Sequence, residues 1–251
     1  IPTLIQIEVP EMDIQNFQES RKGVDFMLVI DTSGSMSGEK IKLVKESVEY
    51  LLDEIQGKDR LAVVKFSTKA TKVIDFTPAN KSNKLEIKNL VNENLVPSTS
   101  TNIGDALKLS IDMIRKRKDF SRKVGFLFLS DGRDNKGNSI NSIIEKMNML
   151  SQAKEVNGLH VCSFGYGQDH DSKMLLAIPR PNEGKFYYVD KIKNVDISII
   201  NCLGEVLTFY AKDLEISFSA SPNVGLEVRK SYSKNVKKID NEFTKTINHI
   251  A

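Results

Sequence analysis

The 251-residue sequence has no tryptophan, three histidines and only two cysteines, Cys162 and Cys202, with no Cys-x-x-Cys pair. Two isolated thiols cannot build a disulfide framework, and each lies in an apolar run where it reads as a small buried hydrophobe. That usage favours a reducing compartment, so a cytoplasmic location is the expectation. Neither sign of charge dominates: 36 basic residues face 33 acidic ones, for a net charge of +3. This balance gives no drive toward nucleic acid or an anionic membrane. No run approaches the ~20 apolar residues of a membrane span. The first residues also lack the charged start and apolar core of a signal peptide. The densest basic run, Arg115 to Lys118 with Arg122 and Lys123 behind it, is expected to be a solvated helix end.

The chain is rich in alternating strand-like and helix-like segments. Strand-like runs cover 24–30, 61–66, 72–76, 124–129, 159–164 and 186–189. Apolar residues at helical spacing cover 39–54, 85–91, 103–114, 140–156, 174–178 and 195–210. Near-continuous apolar strands between helices predict an α/β fold. The expected sheet is doubly wound, mostly parallel and covered by helices on both faces. This main domain is placed at 22–212. Alternating segments at 4–9, 214–218 and 226–228 are expected to form a small antiparallel sheet from the flanks 1–21 and 213–230. The stretch 231–251 reads as a polar tail.

The sharpest motif is Asp31-Thr32-Ser33-Gly34-Ser35, directly after the strand 24–30. In an open parallel sheet, ligands bind beyond the carboxyl ends of the strands. The turn reads either as a cation-binding turn or as an ordinary capped helix start. Two distant segments favour the first. Ser130-Asp131-Gly132 ends another central strand, and Thr101-Asn102-Ile103-Gly104-Asp105 opens a helix. Together they put two carboxylates and three hydroxyls on one rim. Oxygen donors without nitrogen or sulfur suit a hard cation, Mg2+ first, then Mn2+ or Ca2+, and disfavour zinc there. Neither Gly34–Lys40 nor Gly165–Gly167 completes a nucleotide-binding glycine pattern. His160 reads as a packed strand residue, and His170 as part of a loop entering a capped helix.

These three motifs, spread between residues 24 and 210, together resemble a von Willebrand factor A domain. The segment 160–178 is similar to that of intracellular eukaryotic members. The resemblance implies a metal-ion-dependent adhesion site with Asp31, Ser33, Ser35, Thr101 and Asp131 as its ligand positions. It further implies a protein ligand that offers Glu or Asp to the metal. Met36, Ser37, Ser98 to Ser100, and Arg133 to Asn135 (Asp134 among them) are the expected contact rim. Thr99-Ser100 stand where relatives often carry two glycines. No general acid, base or nucleophile is arranged beside these positions, so a binding module rather than an enzyme is expected. The alternatives are an architectural subunit with an idle metal site and a metal-dependent hydrolase using Asp105 or Asp134.

Overall fold

The computed structural model describes residues 20–156, 158–182, 184–207, 211–219, 236–239 and 242–250, with side chains through 207. The chain divides into two compact units, of which the larger is Gln18–Val206.

In the larger unit, strands β1 (Asp25–Asp31), β2 (Arg60–Phe66), β3 (Ala70–Pro78), β4 (Val124–Ser130), β5 (Leu159–Tyr166) and β6 (Lys185–Val189) form one sheet. Their order is β3-β2-β1-β4-β5-β6. All neighbours are parallel except the edge hairpin β2–β3. Between residues 25 and 207 the α-helices are α1 (Glu39–Glu54), α2 (Lys81–Asn94), α3 (Ile103–Arg115), α4 (Ile140–Ser151), α5 (Ser172–Ala177) and α6 (Val195–Leu207).

Side-chain alternation along each strand sorts the core into two layers. On one face, Met27, Val29, Val64, Phe126, Phe128 and Val161 pack against α3, α4 and α5. Phe26, Leu28 and Ile30 project from the other face and are equally buried. There the Tyr166 hydroxyl on β5 donates to Ser47 of α1 at 2.8 Å, and Gly125 leaves the space filled by Phe26 and Val206 of α6. Strands buried on both faces are why these segments read as unbroken apolar runs.

Three expectations need correction. Helix α4 ends at Ser151 rather than 156. Past that point the bonds tighten to Ala153 N–H→Leu150 O, and the Glu155 carbonyl is taken by the Arg117 guanidinium at 2.9 Å. The basic run is not wholly solvated either: Arg117 is buried, and with Arg60 and Arg122 it converges on the fully buried Asp25 at 2.6–2.7 Å.

The third correction concerns the tail. A separate three-stranded antiparallel sheet has the order β7-β9-β8, with β7 at Ala211–Ser219, β8 at Val236–Ile239 and β9 at Glu242–Ile250. Stretch 231–251 therefore supplies two strands instead of a loose polar end. Its β-branched Thr244, Thr246, Ile247 and Ile250 carry strand propensity despite the lysines. Ile239 of β8 pairs directly with Glu242 of β9. The expected strands at 4–9 and 226–228 and the helix end at 208–210 lie outside the described residues.

Candidate metal centre

The parallel strands end along one rim, and the order of the sheet puts β1 and β4 side by side. Asp31 is the last residue of β1, and Asp131 follows the last residue of β4. Both side chains are fully buried. Asp31 accepts the Ser33 N–H at 2.8 Å on one oxygen and the Ser130 hydroxyl at 2.5 Å on the other. Ser130 in turn accepts the Gly132 N–H at 2.8 Å, so one hydroxyl couples the two strand ends. The Ser33 and Ser35 hydroxyls lie 3.1 Å apart, within the short 3-10 turn Gly34–Met36 and its cap. Thr32 points elsewhere, bonding the Phe66 carbonyl through both its N–H and its hydroxyl.

The Thr101 loop reaches the same rim through its backbone. The Ser98 N–H donates to Thr32 O at 2.6 Å, and the Asn135 N–H donates to Thr101 O at 3.0 Å. A Cβ at Gly34 would stand 3.0 Å from the Ser98 carbonyl, so the two loops touch where Gly34 has no side chain. Thr101 itself is buried.

The electrostatics show what this rim needs. Burial pushes the Asp31 carboxyl up from 3.8 to about 6; bonds from Ser130 and Ser33 hold it back, while the Asp131 charge adds to the rise. Among the described residues, no Lys, Arg or His forms an ion pair with Asp31. Asp131 is partly balanced by Lys40 of α1, whose ammonium lies 3.0 Å from it and 2.8 Å from Asp169. A buried carboxylate beside a second one, ringed by hydroxyls, suits a hard divalent cation. Asp31, Ser33, Ser35, Thr101 and Asp131 could hold it through oxygen alone.

The expected contact rim changes. Met36 is fully buried beneath the 3-10 turn and cannot meet a partner. Asp134 is half-buried and both its oxygens are used: one accepts Ile103 N–H at 2.9 Å, the other Asn138 N–H at 2.8 Å. It fixes the start of α3. Ser37 and Arg133 are exposed and Ser100 is half-buried. Arg133 is held by Asp169, with its guanidinium 2.6 Å from the carboxylate. Asp105 likewise has a structural task, accepting the Ala70 N–H at 2.7 Å. His170 bonds the Gly167 carbonyl at 2.7 Å, and Asp171 caps α5.

Lys40 is the functional residue that sequence reasoning missed. It lies 91 positions from Asp131, and nothing local distinguishes it from other helix-surface lysines.

Gly132 has φ of +76°, and a Cβ there would sit 2.8 Å from the Asp171 carbonyl and 2.9 Å from Leu175. Gly132→Ala is expected to cost about 1–3 kcal/mol, seen as a lower urea midpoint. An unchanged midpoint would show that the loop tolerates a side chain.

The chain matches the family model "von Willebrand factor type A domain" over residues 25–200. It is 25% identical to a protein called YfbK of Escherichia coli over 241 residues, covering 95% of this chain and 40% of that protein. A von Willebrand factor type A structure from Catenulispora acidiphila superposes with a TM-score of 0.69 at 17% identity, over 91% of this chain and 55% of that one. Proximal thread matrix protein 1 of the mussel byssus, a structure described as having a zinc-occupied MIDAS motif, gives a TM-score of 0.56 at 23% identity. That match covers 72% of this chain and 46% of the mussel chain. The chain thus spans less than two thirds of each of these proteins, and the resemblance extends beyond eukaryotic members to bacterial ones. With the family model matched across the β1–α6 unit, the chain belongs to the von Willebrand factor type A domain family.

Proposed function

We propose that the chain is a divalent-cation-dependent protein-binding module, with Asp31, Ser33, Ser35, Thr101 and Asp131 as the cation's ligands and no catalytic role. The observation that carries this reading is the buried Asp31 carboxylate, which sits beside Asp131 without a cation of its own. Three of the five groups are neutral hydroxyls and Lys40 offsets part of the Asp131 charge, so the ligand set leaves part of a dication's charge uncompensated. Such an ion, when bound, supplies a strong point charge with room to accept a carboxylate from outside. The partner is therefore a protein presenting Glu or Asp. Arg133, exposed on the same loop as Asp131, is ion-paired with Asp169 and would meet an acidic ligand by sharing its guanidinium between the two carboxylates. Ser37 and Ser100 supply polar contacts beside it.

Metal-assisted hydrolysis would need a free base near the ion. Asp105 and Asp134 are the candidates in sequence: Asp134 spends both oxygens on backbone amides, and Asp105 spends one on the Ala70 N–H. Mg2+ is the first choice, with Mn2+ or Ca2+ able to replace it. The zinc in the mussel protein's motif supports a divalent ion in this kind of rim.

Affinity capture from the native source tests the reading, using wild type in Mg2+, wild type in EDTA, and Asp31→Ala in Mg2+. A partner retained only in the first, and lost when its own Glu or Asp is neutralised, is the expected result. The same partners in all three would point to an architectural role with an idle site.

A further inference from the structure

A second cluster of ligand-type side chains lies far from the oxygen rim, at the opposite end of β5. His160 and Cys162 are two residues apart on that strand and project from the same face. Cys202 and Glu205 are three apart on α6, and therefore also share a face. The His160 ring nitrogen lies 2.8 Å from Glu205 Oε2. The ligand atoms of His160, Cys162 and Glu205 all fall within 4.8 Å of one another. The Cys202 thiol lies outside that set of three but is the hydrogen-bonding neighbour of the Cys162 thiol, and both thiols are fully buried. The His160 and Glu205 side chains keep 19% and 17% of their surface exposed, enough for an ion to enter.

We propose that His160, Cys162, Cys202 and Glu205 form a four-ligand site for a thiophilic divalent ion, Zn2+ first, that ties β5 to α6. This inference is independent of the cation assigned to Asp31 and Asp131, whose donors are all oxygen. Tetrahedral zinc with bonds of about 2.0–2.3 Å sets its ligand atoms roughly 3.3–3.8 Å apart. Binding would open the 2.8 Å His160–Glu205 contact slightly and draw the wider separations inward, within the reach of side-chain rotation.

The outer groups fit as well. Glu205 Oε1 is engaged by the Lys185 ammonium and, at 3.3 Å, by the Tyr187 hydroxyl, leaving Oε2 to point inward. Such partners orient a ligating carboxylate and raise the affinity of the site. Two thiolates and one carboxylate against a dication leave a single negative charge, which Lys185 balances. Binding releases one proton from each thiol to solvent. A carboxylate in the last turn of a helix is disfavoured by the helix dipole, so a cation beside Glu205 relieves that position too.

Cobalt substitution tests the site in the full chain, reduced, stripped of transition metal and kept in excess Mg2+ so that the oxygen rim is satisfied. One equivalent of Co2+ should bring up a sulfur-to-cobalt charge-transfer band and intense tetrahedral visible bands, which Zn2+ then bleaches. Asp31→Ala should leave that spectrum unchanged. Cys162→Ser and Cys202→Ser should each lose sulfur-to-cobalt intensity. Lys185→Met should keep the bands but weaken Zn2+ binding about 10- to 100-fold in competition with a chromogenic chelator. A sulfur-free octahedral spectrum from reduced wild type overturns the proposal without reference to any variant. So does a charge-transfer band that keeps its full intensity in both serine variants. Ready oxidation of the two thiols to a disulfide, with no cobalt band after reduction, also overturns it and identifies the cluster as a thiol pair.

Discussion

Asp31→Asn is expected to make the metal-free protein more stable and to abolish its response to Mg2+. Burial raises the Asp31 carboxyl from 3.8 to about 6, so its ionised form is disfavoured in the folded state. A group with a raised folded value gives its full stability below the unfolded value and loses it as pH rises through the folded one. For Asp31 that loss runs from about pH 4 to just above pH 6 and amounts to roughly 3 kcal/mol. Asparagine carries no such penalty and keeps the geometry: its oxygen accepts the Ser33 N–H, and its amide faces the Ser130 hydroxyl. Weaker bonding to Ser130 returns some of the gain, leaving about 2 kcal/mol, or roughly 4–8 °C in midpoint. The advantage of the variant should grow as pH rises from 4 to 6 and then level off. In wild type, protons and metal compete for the same carboxylate, so Mg2+ affinity should fall as pH drops below about 6.

Neutralising Asp25 should do the reverse at the other end of the same strand. Asp25 is fully buried and accepts bonds from Arg60, Arg117 and Arg122, each at 2.6–2.7 Å. Removing its charge leaves three guanidinium groups facing one another, with the Arg117 side chain completely enclosed. Breaking a buried pair in this way costs about 3–5 kcal/mol, because the enclosed Arg117 cation cannot reach water. Asp25→Asn should therefore lower the thermal midpoint by roughly 6–20 °C. The six residue steps from Asp25 to Asp31 span about 20 Å, so Mg2+ affinity of the folded fraction should stay within about twofold of wild type. A midpoint unchanged by the substitution would mean that the arginines find other partners.

The sequence told of the oxygen rim because its parts are local. Asp31, Ser33 and Ser35 fall in one turn, and Ser130-Asp131-Gly132 directly follows an apolar strand. Periodicity likewise marked the six strands and six helices of the larger unit. What it could not reach depends on pairing across the fold. Lys40 meets Asp131 over 91 positions, and Arg117 meets Asp25 over 92. Charge runs carry no sign of whether one member turns inward, so the Arg115–Lys118 run read as solvated. His160 and Glu205 are 45 positions apart, on a strand and a helix that meet only when the helix packs on the sheet. Met36 was misplaced for a different reason: one turn of 3-10 helix reverses which side chain faces the core, and the sequence does not show that turn.

Thermal melts of wild type and Asp31→Asn, each with Mg2+ and with EDTA, bear most directly on the cation site. With Mg2+ at ten times its dissociation constant, wild type should gain about 1.4 kcal/mol over the EDTA sample. The variant should melt at one temperature in both, above wild type in EDTA. A wild type indifferent to Mg2+, Mn2+ and Ca2+, or a variant that responds as strongly as wild type, would contradict a cation held by Asp31.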